Sequence, residues 1–472
     1  MNTHGASPRR DGGSGDGKYR TKSLDPARVA ARDVLRAVRE REAYANLLLP
    51  GVLRERRITG RDAALATELT YGTARTTGLL DAVITAAAGR PVAEIDGPLV
   101  DILRLGAYQL LRTRIGSHAA VSTSVDLARS ESGMGPSGFV NAVLRKISQR
   151  DEHLWVEELA PPMAEDRVGY LSFVYAHPRW IGEVFNEALG GSLGELQAAL
   201  AADDERPIVH LVARPGQITA EELSLITGGE QGRYSPYCVY LPDGDPGDID
   251  AVREGFAGVQ DEGSQLVAVA VGRADVPDDT GRWLDLCAGP GGKAALLGSL
   301  AEVSGAHLDA VEVSPHRAEL IEKVVDGLPV TVHVADGRSS GLAGGYDRIL
   351  VDAPCSGLGS LRRRPEARWR RRPEDVADLV TLQIELLTEA VRLLRPGGVV
   401  VYSTCSPHPA ETVEVLAAVT GTDASVSVID ARPLVAGDVF DPATLGPGPH
   451  VQLWPHRQDT DAMFVSALRK DV

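Results

Sequence analysis

Residues 285–293, Asp285-Leu286-Cys287-Ala288-Gly289-Pro290-Gly291-Gly292-Lys293, decide the fold class. The apolar run Arg282–Leu286 before them reads as a buried strand, and the residues after them read as a helix. Glycines between the two let the backbone turn sharply and approach a ligand closely. A strand entering a helix through such a turn opens a doubly wound α/β sheet. The free N–H groups at the helix start favour an anionic group, and the carboxylate of a methionine moiety suits them.

Toward the C-terminus the pattern repeats. Leu308–Val313, Val330–Val334, Arg348–Val351 and Val399–Tyr402 are strand candidates with helical segments between most of them. This alternation predicts a mostly parallel sheet over residues 276–472, closed by an antiparallel pair, Val426–Ile429 and Phe464–Leu468. Glu312 ends the second strand, 21 residues after Gly291, where a carboxylate accepts hydrogen bonds from ribose hydroxyls. Asp336-Gly337 ends the third strand, near the place of an adenine, and Asp352 ends the fourth. All lie at the carboxyl edge, where open α/β sheets bind ligands. The turn reads G-P-G-G-K, not G-x-G-x-x-G, so a dinucleotide fits less well than S-adenosylmethionine. A tight turn without a ligand is the plainer alternative, and the acids ending the next three strands weigh against it.

Toward the N-terminus, residues 151–275 mix helical stretches with strand-like ones such as Ile208–Val212 and read as a small α/β connector. Residues 25–150 are helical throughout. Asp25-Pro26 has the form of an N-cap followed by proline at the first helical position. Leu99, Ile102, Leu103 and Leu110 share one helical face, and Phe139, Val140, Val143, Leu144 and Ile147 another. Residues 1–24, rich in Gly, Ser and Arg, read as a disordered, mildly basic tail.

The net charge of −16 argues against a polyanionic partner only until its distribution is seen. Residues 151–280 carry 25 acidic against 7 basic side chains, whereas residues 23–150 carry 18 basic against 13 acidic. Binding to nucleic acid follows local patches rather than the total. No run of about 18 uncharged apolar residues occurs, and the first residues lack a secretory h-region, so the expected compartment is the cytoplasm. The four cysteines form no C-x-x-C pair, and no metal site is expected.

Two of those cysteines follow consecutive strands: Asp352-Ala353-Pro354-Cys355-Ser356-Gly357 the fourth, Ser403-Thr404-Cys405-Ser406-Pro407 the fifth. Both thiols are expected at one cleft beside the cofactor. A lone free cysteine is usually a space-filler, but two at the same sheet edge point to chemistry. C5 of cytosine is too weakly nucleophilic to attack a methyl sulfonium; a thiolate adding to C6 activates it. Pro409-Ala410-Glu411 reads as a helix start whose positive end would favour the Cys405 thiolate. Asp352 is placed to meet the N3 or amino edge of the base. The residues alone do not rank the two thiols. Cys287 and Cys238 read as packing residues, and His118, His177, His408 and His456 as unpatterned.

DLCAGPGGK at 285–293, Glu312, ADG at 335–337, DAPCSGLG at 352–359 and STCS at 403–406 resemble the Sun family of RNA (cytosine-5) methyltransferases, in its bacterial small-subunit ribosomal branch. RDAALATELTYGTAR at 61–75, LRLGAYQLL at 103–111 and GFVNAVLRKI at 138–147 resemble a NusB-type RNA-binding domain. AHPRW at 176–180 and QDEGSQ at 260–265 are similar to the connecting region. The resemblance implies an all-helical NusB-like domain, a connector and a Rossmann-like class I methyltransferase domain, acting on 16S ribosomal RNA or an assembling small subunit. It implies Cys405 as nucleophile and Cys355 as the cysteine of product release. Cys287, Ala288, Gly289, Pro290, Gly291, Gly292, Lys293, Glu312, Asp336 and Asp352 match its S-adenosylmethionine positions. Three residues depart from the pattern: Gly289 replaces the commoner alanine, Ala294 threonine, and Thr412 asparagine.

Just after the Cys355 loop, Arg362, Arg363, Arg364, Arg368 and Arg370 surround Trp369, with Arg371 and Arg372 beyond. Arginine forks suit phosphates and an indole stacks on bases, so this segment is expected to contact RNA. Two other readings stay in view. A methyltransferase acting on an exocyclic amine or a protein often carries an aromatic after an Asp/Asn-Pro-Pro turn, where this chain has Cys355. An RNA-binding assembly factor with an inactive catalytic domain is opposed by the intact glycine loop and cysteines.

Overall fold

The computed structural model describes Met1 and residues 24–472. The tail expected over 1–24 lies outside them except at its ends. Seven helices build the N-terminal part: α1 (Pro26–Arg41), α2 (Ala45–Glu55), α3 (Gly60–Arg75), α4 (Thr77–Ala88), α5 (Gly97–Arg112), α6 (Ser117–Ser132) and α7 (Met134–Ile147). Asp25 caps α1 by accepting from the Arg28 N–H. The two predicted faces meet in one core, where Leu99, Ile102, Leu103, Val140, Leu144 and Ile147 are buried.

Four shorter helices follow: α8 (Glu152–Leu159), α9 (Arg167–Val174), α10 (Arg179–Ala188) and α11 (Leu193–Asp204). A small antiparallel sheet comes next, from β1 (Val209–Ala213), β2 (Glu230–Gln231), β3 (Cys238–Leu241) and β4 (Ala257–Val259), in the order β2-β3-β1-β4. Helices α12 (Ala220–Thr227) and α13 (Asp250–Arg253) pack on it. The segment read as one α/β connector is thus a helical cluster followed by a sheet. Its last helix, α14 (Glu262–Arg273), carries buried Leu266, Val267 and Val271 in the core of the C-terminal sheet. Helix α14, which precedes the boundary expected at 275/276, thus packs on the sheet that follows it; apolar periodicity marks a buried face without saying which sheet buries it.

The C-terminal part has β5 (Arg282–Asp285), α15 (Gly292–Ser304), β6 (His307–Glu312), α16 (Pro315–Val324), β7 (Val330–Val334), β8 (Tyr346–Asp352), α17 (Ala367–Arg370), α18 (Asp375–Leu393), β9 (Leu394–Thr404), α19 (Val413–Thr422), β10 (Val426–Ile429), β11 (Val451–Gln452) and β12 (Phe464–Lys470). The sheet order is β10-β12-β9-β8-β5-β6-β7, with β11 paired to β12. Strands β5 to β9 run parallel, and β12 joins antiparallel to both β9 and β10. This is the expected mostly parallel sheet with its antiparallel end. Its order reverses beside β5, so the crevice opens between the loops after β5 and β8, where the glycine turn and the first cysteine lie. Among the described residues, no helix is long and apolar enough to cross a membrane.

Candidate active site

Strand register brings the two cysteine loops together. Asp352 of β8 pairs with Ser403 of β9, and the Ala353 N–H donates to the Ser403 carbonyl. Three residues on from Asp352 and two on from Ser403, the sulfur atoms of Cys355 and Cys405 lie 3.4 Å apart. A second stitch follows, from the Gly359 N–H to the Cys405 carbonyl at 2.8 Å.

The charge around the pair is asymmetric. The Cys355 thiol donating to Cys405 is the main reason the Cys405 pKa is lowered, with Lys293 and Arg364 adding to it against the effects of burial and Asp352. Cys355 is pushed well up by the same hydrogen bond, by burial and by the negative charge of Glu411. The expected helix start at Pro409 is a single 3-10 turn, Pro409–Glu411, and α19 begins only at Val413. A turn that short carries little of a helix dipole, and the neighbouring thiol, then Lys293 and Arg364, lower Cys405.

Lys293 leaves the first turn of α15 and donates to Asp352 at 2.8 Å. The other Asp352 oxygen accepts from the Ser403 hydroxyl at 2.9 Å. One carboxylate therefore joins the glycine turn to both cysteine-bearing strands. Asp285, at the end of β5, is buried; one oxygen accepts from the Cys287 N–H and the other has no partner among the described residues. Burial first, and then the Asp352 charge, push its carboxyl up to about 7. Glu312 is buried, accepting from the Ser314 N–H at 2.7 Å and pairing with Arg317. Asp336, more exposed, is held below the usual carboxylate range by the Arg338 guanidinium and N–H.

The residues present fit a methionine-bearing nucleoside. Gly291 has φ +111°, a conformation few side chains tolerate, and it opens α15. A Cβ on Gly337 would press within 2.9 Å of the Leu286 carbonyl, so the turns after β5 and β7 approach as closely as glycine allows. The unpartnered carboxyl oxygen of Asp285 and the buried, unpartnered amide oxygen of Gln260 are the kind of acceptors a bound ammonium or hydroxyl satisfies. Among the described residues, no group of three or more His, Cys, Asp or Glu could hold a metal ion.

The arginine segment is a correction. Arg368 is fully buried and donates to the carbonyls of Ala176 and Asp203 at the ends of α9 and α11. The Trp369 indole N–H donates to Ala74 and Arg75 at the end of α3, over Gly78, where a Cβ would collide with the ring. Arg370 donates to Val38, Glu42 and Ala43 at the end of α1. Arg362 and Arg363 pair with Asp459, Asp461 and Asp261. Helix C-termini leave carbonyls without intrahelical partners, and cationic donors suit them. Trp369 and Arg370 clasp the N-terminal helices, Arg368 the α9–α11 cluster, and Arg362 and Arg363 the loops of Asp261 and Asp459–Asp461, so these five side chains are not a free RNA surface. Arg364 alone of the six remains exposed, with its guanidinium 5.6 Å from the Tyr44 ring centre.

The family model described as "16S rRNA methyltransferase RsmB/F" matches residues 274–469, and that of the NusB family matches residues 25–149. "Probable ribosomal RNA small subunit methyltransferase B" of Bacillus subtilis (strain 168) is 30% identical over 94% of this chain and 98% of its own. The chain belongs to the RsmB/F family. It is an S-adenosylmethionine-dependent RNA methyltransferase of the 5-methylcytosine type. "Putative methyltransferase Rv1407" of Mycobacterium tuberculosis (strain H37Rv) is 60% identical over 96% of this chain and 98% of that one. Among solved structures, PH0851 superposes with a TM-score of 0.77 at 22% identity, covering 95% of this chain and all of that one. NSun6 from Pyrococcus horikoshii, solved with SFG, gives 0.53 at 19% over 63% and 99%. Both show the shared fold.

Reading the sequence did not single out four residues of this RsmB/F site: the buried Asp285, and Ser356, Ser406 and Glu411, which hydrogen-bond to one another behind the two cysteine loops. A signal was available, since a serine directly follows each cysteine of the pair.

Proposed function

We propose that this protein methylates C5 of a cytosine in 16S ribosomal RNA, with Cys405 as nucleophile and Cys355 assisting release of the product. The ribosomal target is supported by the family description and by relatives named ribosomal RNA small subunit methyltransferase B at 30% and 32% identity. The cysteine roles rest on one observation, the 3.4 Å thiol pair whose Cys405 member faces Lys293.

Cys405 Sγ adds to C6 of the cytosine, forming an S–C6 bond and shifting ring electrons to C5. S-adenosylmethionine, when bound, would supply the electrophilic methyl group for C5. The Cys355 sulfur, acting as base, then takes the C5 proton, and the C5–H electrons restore the ring double bond as the S–C6 bond breaks and the Cys405 sulfur leaves as thiolate. Residues 287–293 and the start of α15 would hold the methionine end, Glu312 the ribose and Asp336 the adenine side. Asp352, fixed by Lys293 and Ser403, meets the amino edge of the base. Arg364 and the helices of residues 25–150 hold RNA outside the cleft, and the target base is flipped to enter it. A small ribosomal subunit as partner places the work in the cytoplasm.

The test is substitution with adduct trapping. Cys405→Ala abolishes methylation and any protein–RNA adduct, whereas Cys355→Ala accumulates an adduct that survives denaturing gels. Normal methylation by Cys405→Ala removes the nucleophile assignment. Mapping 5-methylcytosine in RNA from cells with and without the protein identifies the target; a lost mark outside small-subunit RNA overturns the 16S assignment.

A further inference from the structure

The sheet stops before it reaches the cysteines. Its last β8–β9 register pair is Asp352 with Ser403, so something else sets the distance between residues 355 and 405. Glu411, fully buried, stands behind both loops. One of its oxygens accepts from the Ser356 N–H at 2.7 Å and the other from the Ser356 hydroxyl at 2.5 Å. The Ser356 hydroxyl also lies 3.1 Å from that of Ser406. Gln383 of α18 donates to Glu411 and to the Pro354 carbonyl, at 3.2 Å and 2.9 Å. The Glu411 backbone is itself held, since its carbonyl accepts from the buried Tyr402 hydroxyl at 2.8 Å.

We propose that Glu411 is a positioning residue for the reaction: its carboxylate ties the loop of Cys355 to the segment of Cys405 and holds the releasing thiol against the nucleophile. The inference rests on the reading that gives Cys355 to product release. Three donors converge on this carboxylate from two elements, the Cys355 loop and α18, while its own backbone belongs to the turn after Cys405. A buried anion so fully hydrogen-bonded is costly to leave partnerless and rigid when satisfied. Of the two thiols, only Cys355 lies next to a residue that Glu411 bonds through both backbone and side chain. Loss of the carboxylate therefore loosens Cys355 and leaves Cys405, fixed by β9 and by the Gly359 N–H, in place.

The full-length Glu411→Ala protein is assayed on transcribed 16S RNA with the methyl donor, beside Cys355→Ala, Glu411→Gln and Ser356→Ala. Turnover of Glu411→Ala is expected to fall by about tenfold or more with KM for RNA and donor within about twofold, the signature of a group that acts after binding. The denaturation-stable adduct accumulates as it does in Cys355→Ala. Glu411→Gln, which keeps an acceptor for the Ser356 N–H, recovers much of the rate, and Ser356→Ala, which deletes only the hydroxyl arm, shifts both readouts the same way by less. Wild-type turnover in Glu411→Ala overturns the inference, as does loss of adduct together with turnover. If Cys355→Ala accumulates adduct and Glu411→Ala does not, Glu411 alone is removed. If Cys355→Ala forms none, the release reading falls and this inference falls with it.

Discussion

Lys293 Nζ stands 2.8 Å from Asp352 Oδ2, and the ammonium also acts on the Cys405 sulfur. A cation from the cofactor turn thus reaches the nucleophile's side of the cleft, linking the methyl-donor site to the thiol chemistry.

The first prediction follows from that charge. The Cys355 hydrogen bond contributes most to the lowered Cys405 pKa, and Lys293 adds to it. A positive charge favours thiolate, so Lys293→Met raises the Cys405 pKa and leaves the repulsion of Asp352 opposed only by the Cys355 hydrogen bond and Arg364. The acidic limb of the kcat/KM profile moves to higher pH, and Cys405 alkylation, followed by peptide mass spectrometry, becomes slower at neutral pH. An unmoved profile, or one displaced to lower pH, removes Lys293 from the activation of the thiol.

Asp285 carries a stability prediction. Its carboxyl rises from a reference of 3.8 to about 7, mainly through burial. An acid held protonated in the fold adds no penalty below its unfolded pKa; the cost grows as pH rises and is complete above the folded value. The slope is at most about 1.4 kcal/mol per pH unit. Asp285→Asn mimics the neutral form, so its stability relative to wild type increases from about pH 4 to about pH 7 and then levels off. Denaturant midpoints across that range measure it, and a constant difference defeats the assignment.

The third prediction separates clasp from RNA contact. Trp369→Ala removes a half-buried indole seated over Gly78 with two carbonyl acceptors, and costs less than the about 3–5 kcal/mol of a fully buried Trp→Ala change. The N-terminal helices then unfold at a lower temperature than the catalytic sheet, and calorimetry shows two transitions. Arg364→Glu leaves folding intact and weakens RNA binding, with a shallower dependence on salt. Equal affinity and salt slope for Arg364→Glu would take this last arginine out of the interface.

The contrast between these two residues shows what was legible in the sequence. The strands, the glycine turn, the acids at the strand ends and the pairing of Cys355 with Cys405 follow from period, turn chemistry and order along the chain. Those are local signals, and adjacent parallel strands convert them directly into proximity. That Arg368 and Trp369 turn inward depends on helix ends 192 and 295 residues earlier in the chain, at Ala176 and Ala74. No local pattern records that a guanidinium will find a helix C-terminus. Glu411 was hidden for the same reason, because its partners Ser356 and Gln383 lie on other elements.

Two glycines at the site separate rigid from yielding neighbours. A Cβ on Gly359 would lie 2.1 Å from the Ala462 carbonyl oxygen and 2.9 Å from that of Cys405. Both are backbone atoms, and both neighbours are fixed, because Ala462 N–H donates to Gly359 and Gly359 N–H donates to Cys405. Gly359→Ala must break that stitch, so turnover collapses, and overpacking of this kind costs about 1–3 kcal/mol of stability. A Cβ on Gly289 would lie 2.0 Å from Glu312 Oε2, the far end of a side chain that can rotate while its backbone stays in β6. Gly289 is also not among the positions of positive φ, so alanine suits its backbone. Gly289→Ala therefore keeps its fold and its methylation rate within a few-fold, with the change confined to affinity for the methyl donor through Glu312. Isothermal titration with the donor and single-turnover methylation distinguish the two variants. A tolerated Gly359→Ala would show that the Cys405 loop is not held by its backbone contacts.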